Sequence, residues 1–151
     1  AFVNMMNRRA QELMANGTHF MNPHGLHDDN HYTTAYDLYL IFNECIKHED
    51  FVNIIQSEAY TAYYTDVDGN SQEALFTPTN LYAQGEVDVP ENVTIVGGKT
   101  GTTDEAGYCL ILMEKDSSDN PYISIVMGAS EKPVLYEDMT SLIEAIPSGQ
   151  Q

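Results

Sequence analysis

Val93-Thr94-Ile95-Val96-Gly97-Gly98-Lys99-Thr100-Gly101-Thr102-Thr103 runs from a β-branched apolar segment into a stretch rich in glycine and threonine that carries a single lysine. A second apolar run, Tyr108-Cys109-Leu110-Ile111-Leu112-Met113, follows after Asp104-Glu105-Ala106-Gly107. Apolar runs bounded by turn residues predict strands. Lysine supplies a compact positive charge and threonine a hydroxyl that can donate a hydrogen bond. Gly101 has no side chain, so a ligand can lie close to the backbone there. At the mouth of a strand, these residues make an anion site with an open approach.

Outward from that stretch the chain divides into a helical part and a β part. Residues 2 to about 14 have a helical pattern with Phe2, Met5, Met6, Leu13 and Met14 near one face, and Asn16-Gly17 reads as its stop. An irregular loop occupies His19 to His31. Thr34, with Asp37 three residues on, starts a second helix whose stripe is Leu38, Ile41, Phe42, Cys45 and Ile46. A short helix is predicted around Asp50 to Gln56. From Tyr60 the pattern is β: a strand at Tyr60 to Thr65, a turn at Asp68-Gly69-Asn70 and a continuation near Leu75-Phe76-Thr77. Residues 78–92 read as a loop. Strands follow at about 93–97, 107–114 and 122–129, then a helix from Tyr136 to Ile146 with Met139, Leu142, Ile143 and Ile146 on its stripe. Helices, then antiparallel strands, then a terminal helix predict an α+β fold with helices packed on the sheet. No internal domain boundary, repeat or low-complexity segment is visible.

Three strings carry a family resemblance. They are Thr18-His19-Phe20-Met21-Asn22-Pro23-His24-Gly25-Leu26 with His31-Tyr32-Thr33-Thr34-Ala35-Tyr36-Asp37-Leu38, then Lys99-Thr100-Gly101, then Thr102-Thr103-Asp104-Glu105-Ala106-Gly107-Tyr108-Cys109-Leu110. In that order and spacing they resemble the serine-type D-alanyl-D-alanine carboxypeptidases, the low-molecular-weight penicillin-binding proteins. The resemblance covers nearly the whole chain. It implies a β-lactamase/transpeptidase-like fold, incomplete at its N-terminal side, and acyl transfer on peptidoglycan stem peptides ending in D-Ala-D-Ala. A serine attacks the penultimate carbonyl, the terminal D-alanine leaves, and water releases the acyl-enzyme. On this pattern Thr100 bonds the substrate carboxylate, Lys99 supplies charge, and Gly101 keeps the strand edge open for the peptide. The backbone N–H of Thr102 is one oxyanion donor. Thr103 and His24 complete the implied substrate-binding set. β-Lactams are the implied inhibitors. The resemblance calls for no cofactor or metal, and for an extracytoplasmic place, secreted or attached to the cell envelope.

The departures from the pattern are as informative. The family nucleophile is the serine of Ser-x-x-Lys, and none of Lys47, Lys99, Lys115 and Lys132 has a serine three residues before it. Ser118-Asp119-Asn120 matches a Ser-x-Asn element but comes after Lys99, between two apolar runs, where it reads as a hairpin loop. The chain opens on Ala1-Phe2-Val3-Asn4 inside a helical pattern. The expectation is that residues 1–151 are the C-terminal portion of a catalytic domain, with the nucleophile in a missing N-terminal half, and that this chain alone is inactive. Several family members use an arginine shortly before the last helix to bind the terminal carboxylate. Here the arginines are Arg8 and Arg9, and the matching region offers Lys132. Either Lys132 takes part or recognition rests on Thr100 and Lys99. Two other readings stand beside the enzyme: a catalytically degenerate module of the same fold, and a β-lactamase or esterase of that fold.

Composition narrows the class. The chain has 151 residues, 42% of them hydrophobic, enough for one core. Asp and Glu number 23 against 6 Lys and Arg, a formal charge of −17. That argues against nucleic acid and anionic membranes, which need basic patches. No run approaches the length of a membrane span. Cys45 and Cys109 form no disulfide framework and read as buried reduced thiols.

The remaining candidates have plainer explanations. His19, His24, His27 and His31 with Asp28 and Asp29 suit zinc chemically, but their spacing matches no compact zinc pattern. His24 is expected to bond backbone in a loop walling the site. Tyr60, Tyr63 and Tyr64 read as amphipathic strand positions rather than a carbohydrate or peptide platform. Asp66, Asp68 and Asn70 alternate as in a calcium loop but lack its further ligands, so a turn is expected. Asn16-Gly17-Thr18 and Asn92-Val93-Thr94 match the glycosylation pattern, which a bacterial cell-wall enzyme would not normally use.

Overall fold

The computed structural model describes residues 1–148. In chain order they form α1 (Phe2–Glu12), α2 (Ala35–Cys45), α3 (Glu49–Ile55), β1 (Tyr60–Thr65), β2 (Ser71–Phe76), α4 (Leu81–Gln84), β3 (Val93–Thr103), β4 (Gly107–Asp116), β5 (Pro121–Ala129) and α5 (Lys132–Glu144). Among the described residues the strands make two antiparallel sheets, a β1–β2 hairpin and a three-stranded sheet in the order β3-β4-β5. The fold is α+β, with α5 packed on β4 and β5, α2 against β5, and α3 against β3.

The core lies between α5 and one face of the larger sheet. Leu110 and Leu112 of β4 and Ala129 of β5 meet Leu135, Tyr136, Met139, Ile143 and Ile146, with Val93 and Tyr82 closing the edges. Leu142, expected on that stripe, is exposed instead. The helix also begins four residues earlier than predicted. Pro133 stands in its first turn, where the missing N–H costs nothing, rather than before it. Asn92 ties the helix end to the strand, its amide donating to the carbonyls of Ile143 at 3.0 Å and Ile146 at 2.8 Å. That side chain is therefore committed to the fold.

From Cys109 onward β4 alternates half-buried and buried residues. Glu114 falls on the buried face, wholly excluded from solvent, and among the described residues neither of its carboxylate oxygens has a partner in full hydrogen-bond geometry. Burial pushes its carboxyl up to about 7, against a partial pull downward from Ser124.

The helical part differs from expectation at α1. The helix ends at Glu12 because Met14 turns into the left-handed region, φ 63°, ahead of Asn16-Gly17. Gly17 serves packing: a Cβ there would lie 3.0 Å from Thr34 Cγ2 and 3.2 Å from Asp37 Oδ2. Phe2, Met5 and Met14 of the expected stripe are exposed, while Ala10 and Ala15 are buried. At α2 the predicted cap forms, Thr34 Oγ1 accepting from Asp37 N–H at 3.1 Å. The Asp37 carboxylate does not close the box; it is buried and accepts from Thr18 Oγ1 at 2.7 Å.

Both hairpin turns use one solution. Asp66 accepts from the backbone N–H groups of Asp68 and Asn70, and Asp116 from those of Ser118 and Asn120. Gly69 and Asp119 take the left-handed position three residues after each aspartate. Asp66 to Asn70 is thus a turn, and Ser118 lies in the β4–β5 turn. Tyr60, Tyr63 and Tyr64 remain exposed on β1, so they do not pack as half-buried strand positions. Cys45 and Cys109 are free and half-buried rather than fully buried. No helix among the described residues is long and apolar enough to cross a membrane.

Candidate active site

Lys99, Thr100 and Gly101 lie inside a strand, not in a turn beyond it. β3 continues to Thr103, in register with β4 through Lys99 opposite Ile111, Thr100 opposite Leu110, Gly101 opposite Cys109 and Thr102 opposite Tyr108. A bulge between Ile95 and Gly97 resets the strand just before the motif. Two glycines there are demanded by close backbones. A Cβ on Gly97 would sit 2.2 Å from the Ile55 carbonyl oxygen at the end of α3, and one on Gly98 2.1 Å from the Ile111 carbonyl oxygen. Gly101 is different: nothing lies within 4 Å of the position its Cβ would take. The approach to that residue is open, as the sequence predicts.

β3 is an edge strand of its sheet among the described residues, so one row of its backbone groups is available to an added strand. On this edge Lys99 is exposed, and its Nζ donates to the carbonyl oxygen of Thr100. Thr100 is half-buried, and its hydroxyl pairs with that of Thr79 at 2.5 Å. Thr102 is exposed. Thr103 turns its hydroxyl to the strand end, accepting from Ala106 N–H at 3.0 Å. Cys109, opposite Gly101, donates its thiol to the Ala106 carbonyl at 3.6 Å.

The loop from His19 to Tyr32 is closed by paired backbone hydrogen bonds between those two residues. Asn7 of α1 anchors its start, donating to the Phe20 carbonyl at 2.8 Å and accepting from Phe20 N–H at 2.7 Å. Asn22 shapes its tip by accepting from Gly25 N–H and donating to the Leu26 carbonyl. His24 is exposed there, and its Nδ1 accepts from Leu26 N–H at 3.2 Å. His27 reaches the β3–β4 turn, with Nδ1 3.9 Å from Glu105 Oε2. The four histidines bond separate partners, and among the described residues no three His, Cys, Asp or Glu side chains converge on a metal position. Lys132 opens α5, exposed, beside Leu81, Val87 and Tyr136. The contact that sequence reasoning missed is Thr79, in a segment read as featureless loop. Its signal was Asn80, a helix-capping residue just before Leu81.

These residues present an edge strand with a lysine, a hydroxyl pair and an open glycine, which suits an extended ligand ending in an anion. The family model described as D-alanyl-D-alanine carboxypeptidase matches residues 1–131. The chain is 30% identical over 143 residues to D-alanyl-D-alanine carboxypeptidase DacF of Bacillus subtilis, covering 95% of this chain and 34% of that protein. It is 31% identical over 127 residues to D-alanyl-D-alanine carboxypeptidase DacA of Haemophilus influenzae, covering 84% of this chain and 29% of that protein. The solved Streptomyces K15 DD-transpeptidase superposes with a TM-score of 0.83 at 26% identity, over 95% of this chain and 52% of that one. The chain therefore spans about a third of the length of these two curated relatives.

Proposed function

We propose that this chain, which belongs to the D-alanyl-D-alanine carboxypeptidase family, is the C-terminal portion of a serine-type catalytic domain that removes the terminal D-alanine from peptidoglycan stem peptides. The observation that carries the reading is Lys99-Thr100-Gly101 on an open strand edge, with free space beside Gly101. The stem peptide lies antiparallel along β3. Its terminal carboxylate meets the Thr100 hydroxyl, with the charge of Lys99 close by. The backbone N–H of Thr102 faces the oxygen on which negative charge develops. Thr103 shapes the strand end, and His24 belongs to the loop walling the site.

The nucleophile is a serine outside this sequence. Its oxygen bonds to the penultimate D-alanine carbonyl carbon, the C–N bond to the terminal D-alanine breaks, and the departing amine takes the proton. Water then cleaves the ester. β-Lactams acylate the same serine. The exposed apolar residues Phe2, Met5 and Met14 of α1 and its end support a packing place for the rest of the domain. Peptidoglycan lies outside the cytoplasm, so the protein works there. The second reading is a catalytically degenerate module of the same fold, and the presence or absence of Ser-x-x-Lys in the upstream sequence distinguishes them.

Fluorescent-penicillin labelling, read on a gel and by intact mass, separates the two. It is applied to this chain and to the full-length protein encoded by the gene. Label on the full-length form alone is expected. No label on either form selects the degenerate module. Label on this chain alone places the nucleophile within it, with Ser118 the first to substitute.

A further inference from the structure

We infer that Thr79 is a positioning residue for the carboxylate anchor, its hydroxyl holding that of Thr100 in place. The inference rests on the proposed role of Thr100 and extends it to a residue that no motif contains. Thr79 and Thr100 stand 21 positions apart, and their Oγ1 atoms are 2.5 Å apart, at the short end of the range for paired hydroxyls.

Thr79 is held there by a braced segment. The side-chain amide of Gln84 donates to the Pro78 carbonyl at 2.7 Å. Asn80 is buried and accepts from Tyr82 N–H at 3.1 Å. Leu81 N–H donates to the Tyr136 hydroxyl at 2.9 Å, tying the segment to α5. The backbone on both sides of Thr79 is therefore fixed relative to the sheet.

Counting protons gives the pair its function. Two hydroxyls carry two protons, and the bond between them uses one. Neither hydroxyl has another partner among the described residues. One proton is left to donate, and the neighbouring hydroxyl polarises it. Both arginines are on α1, and Arg9 is bonded to Glu12 and Glu44. The ligand class is a free carboxylate at the end of an extended peptide, or the carboxylate of a β-lactam.

The test uses the full-length protein and a tripeptide ending in D-Ala-D-Ala, as the free acid and as its C-terminal amide. Binding of both is measured by calorimetric titration for wild type, Thr79→Val and Thr79→Ser. Thr79→Val removes the hydroxyl and keeps the shape. It should weaken the acid about tenfold and leave the amide unchanged. Thr79→Ser should restore the acid to within about twofold. Thr79 is exposed, so the unfolding temperature should hold in both variants. Equal weakening of acid and amide, no weakening of either, or no rescue by serine overturns the inference. Penicillin labelling of the wild type is scored separately. An unlabelled protein that still prefers the acid in a Thr79-dependent way loses the proposed activity and keeps the anchor. A protein that binds acid and amide alike loses the anchor.

Discussion

Replacing Glu114 with glutamine should bring a gain in stability relative to wild type as pH rises from 4.5 to about 7. Glu114 sits on the core face of β4, fully buried, and among the described residues neither oxygen has a partner in full hydrogen-bond geometry. Burial raises its carboxyl from 4.5 to about 7. The folded state therefore holds a proton that the unfolded chain has already lost between those two values. Stability falls with pH wherever the folded state binds more protons. The cost is absent below pH 4.5, grows up to about 7 and is constant above it. A shift from 4.5 to about 7 corresponds to about 3 kcal/mol at 1.36 kcal/mol per unit. Urea midpoints followed by far-ultraviolet circular dichroism at pH 4.5, 6, 7 and 8 read this directly. Glu114→Gln should gain on wild type through that range and level off above 7. Glu114→Leu should share the pH dependence of Glu114→Gln, which separates ionisation from the hydrogen-bonding needs of the amide. A gap between wild type and Glu114→Gln that stays constant with pH would refute the reasoning.

Other substitutions test the site and its support. Gly98→Ala drives a methyl into the Ile111 carbonyl, so it should cost more than about 3 kcal/mol and show as lost soluble protein. Gly101→Ala meets no atom within 4 Å, so its melting temperature should hold while penicillin acylation of the full-length protein falls about tenfold. Asp37→Ala removes the buried acceptor of the Thr18 hydroxyl and should cost about 1–3 kcal/mol in a urea titration at pH 7. The Asn120 side chain, with the backbone of Asn120 and Ser118, holds the Asp116 carboxyl below the usual carboxylate range. A depressed folded value contributes stability above the unfolded value and loses it as pH falls through the folded one. Asp116→Asn should therefore trail wild type most at neutral pH, with the gap in urea midpoint closing below about pH 4; a constant gap would count against the argument.

The sequence was legible where one period dominated. The α2 stripe, the β4 and β5 runs and both Asp-headed turns read correctly because local pattern and tertiary packing agree. The misreadings fall where a residue serves a contact that local pattern does not reveal. Gly97 and Gly98 stand where the predicted strand ends, yet β3 runs on to Thr103, and both glycines are needed because Ile55 and Ile111 carbonyls approach β3 too closely for a Cβ. Pro133 looks like a boundary but lies within the first turn of α5. Phe2 and Met5 of α1, and Met14 beyond its end, are apolar residues that the described residues leave exposed. At the candidate site, Lys99, Thr100 and Gly101 were visible as a motif with open space. Thr79 was not, because a hydroxyl 21 residues distant announces nothing through spacing.

Charge explains why that hydroxyl matters. With a formal charge of −17, the chain gives an anionic ligand no long-range attraction. Beyond about 10 Å at 0.1 M salt the field is screened, so recognition falls to direct contact. Three of the six Lys and Arg residues are committed elsewhere: Arg9 and Lys47 to Glu44, and Lys115 to Asp119. Lys99 is the cation carried by β3, and its ammonium already bonds the Thr100 carbonyl. On the proposed reading, discrimination between a free carboxylate and its amide draws on donors that cannot rearrange. The two hydroxyls at 2.5 Å meet that condition, because one is fixed by strand register and the other by the brace ahead of α4. A flexible lysine would supply charge without direction. On the proposed reading, the acidic surface and the neutral anchor complement each other, and selectivity rests on geometry at β3 rather than on the field around it.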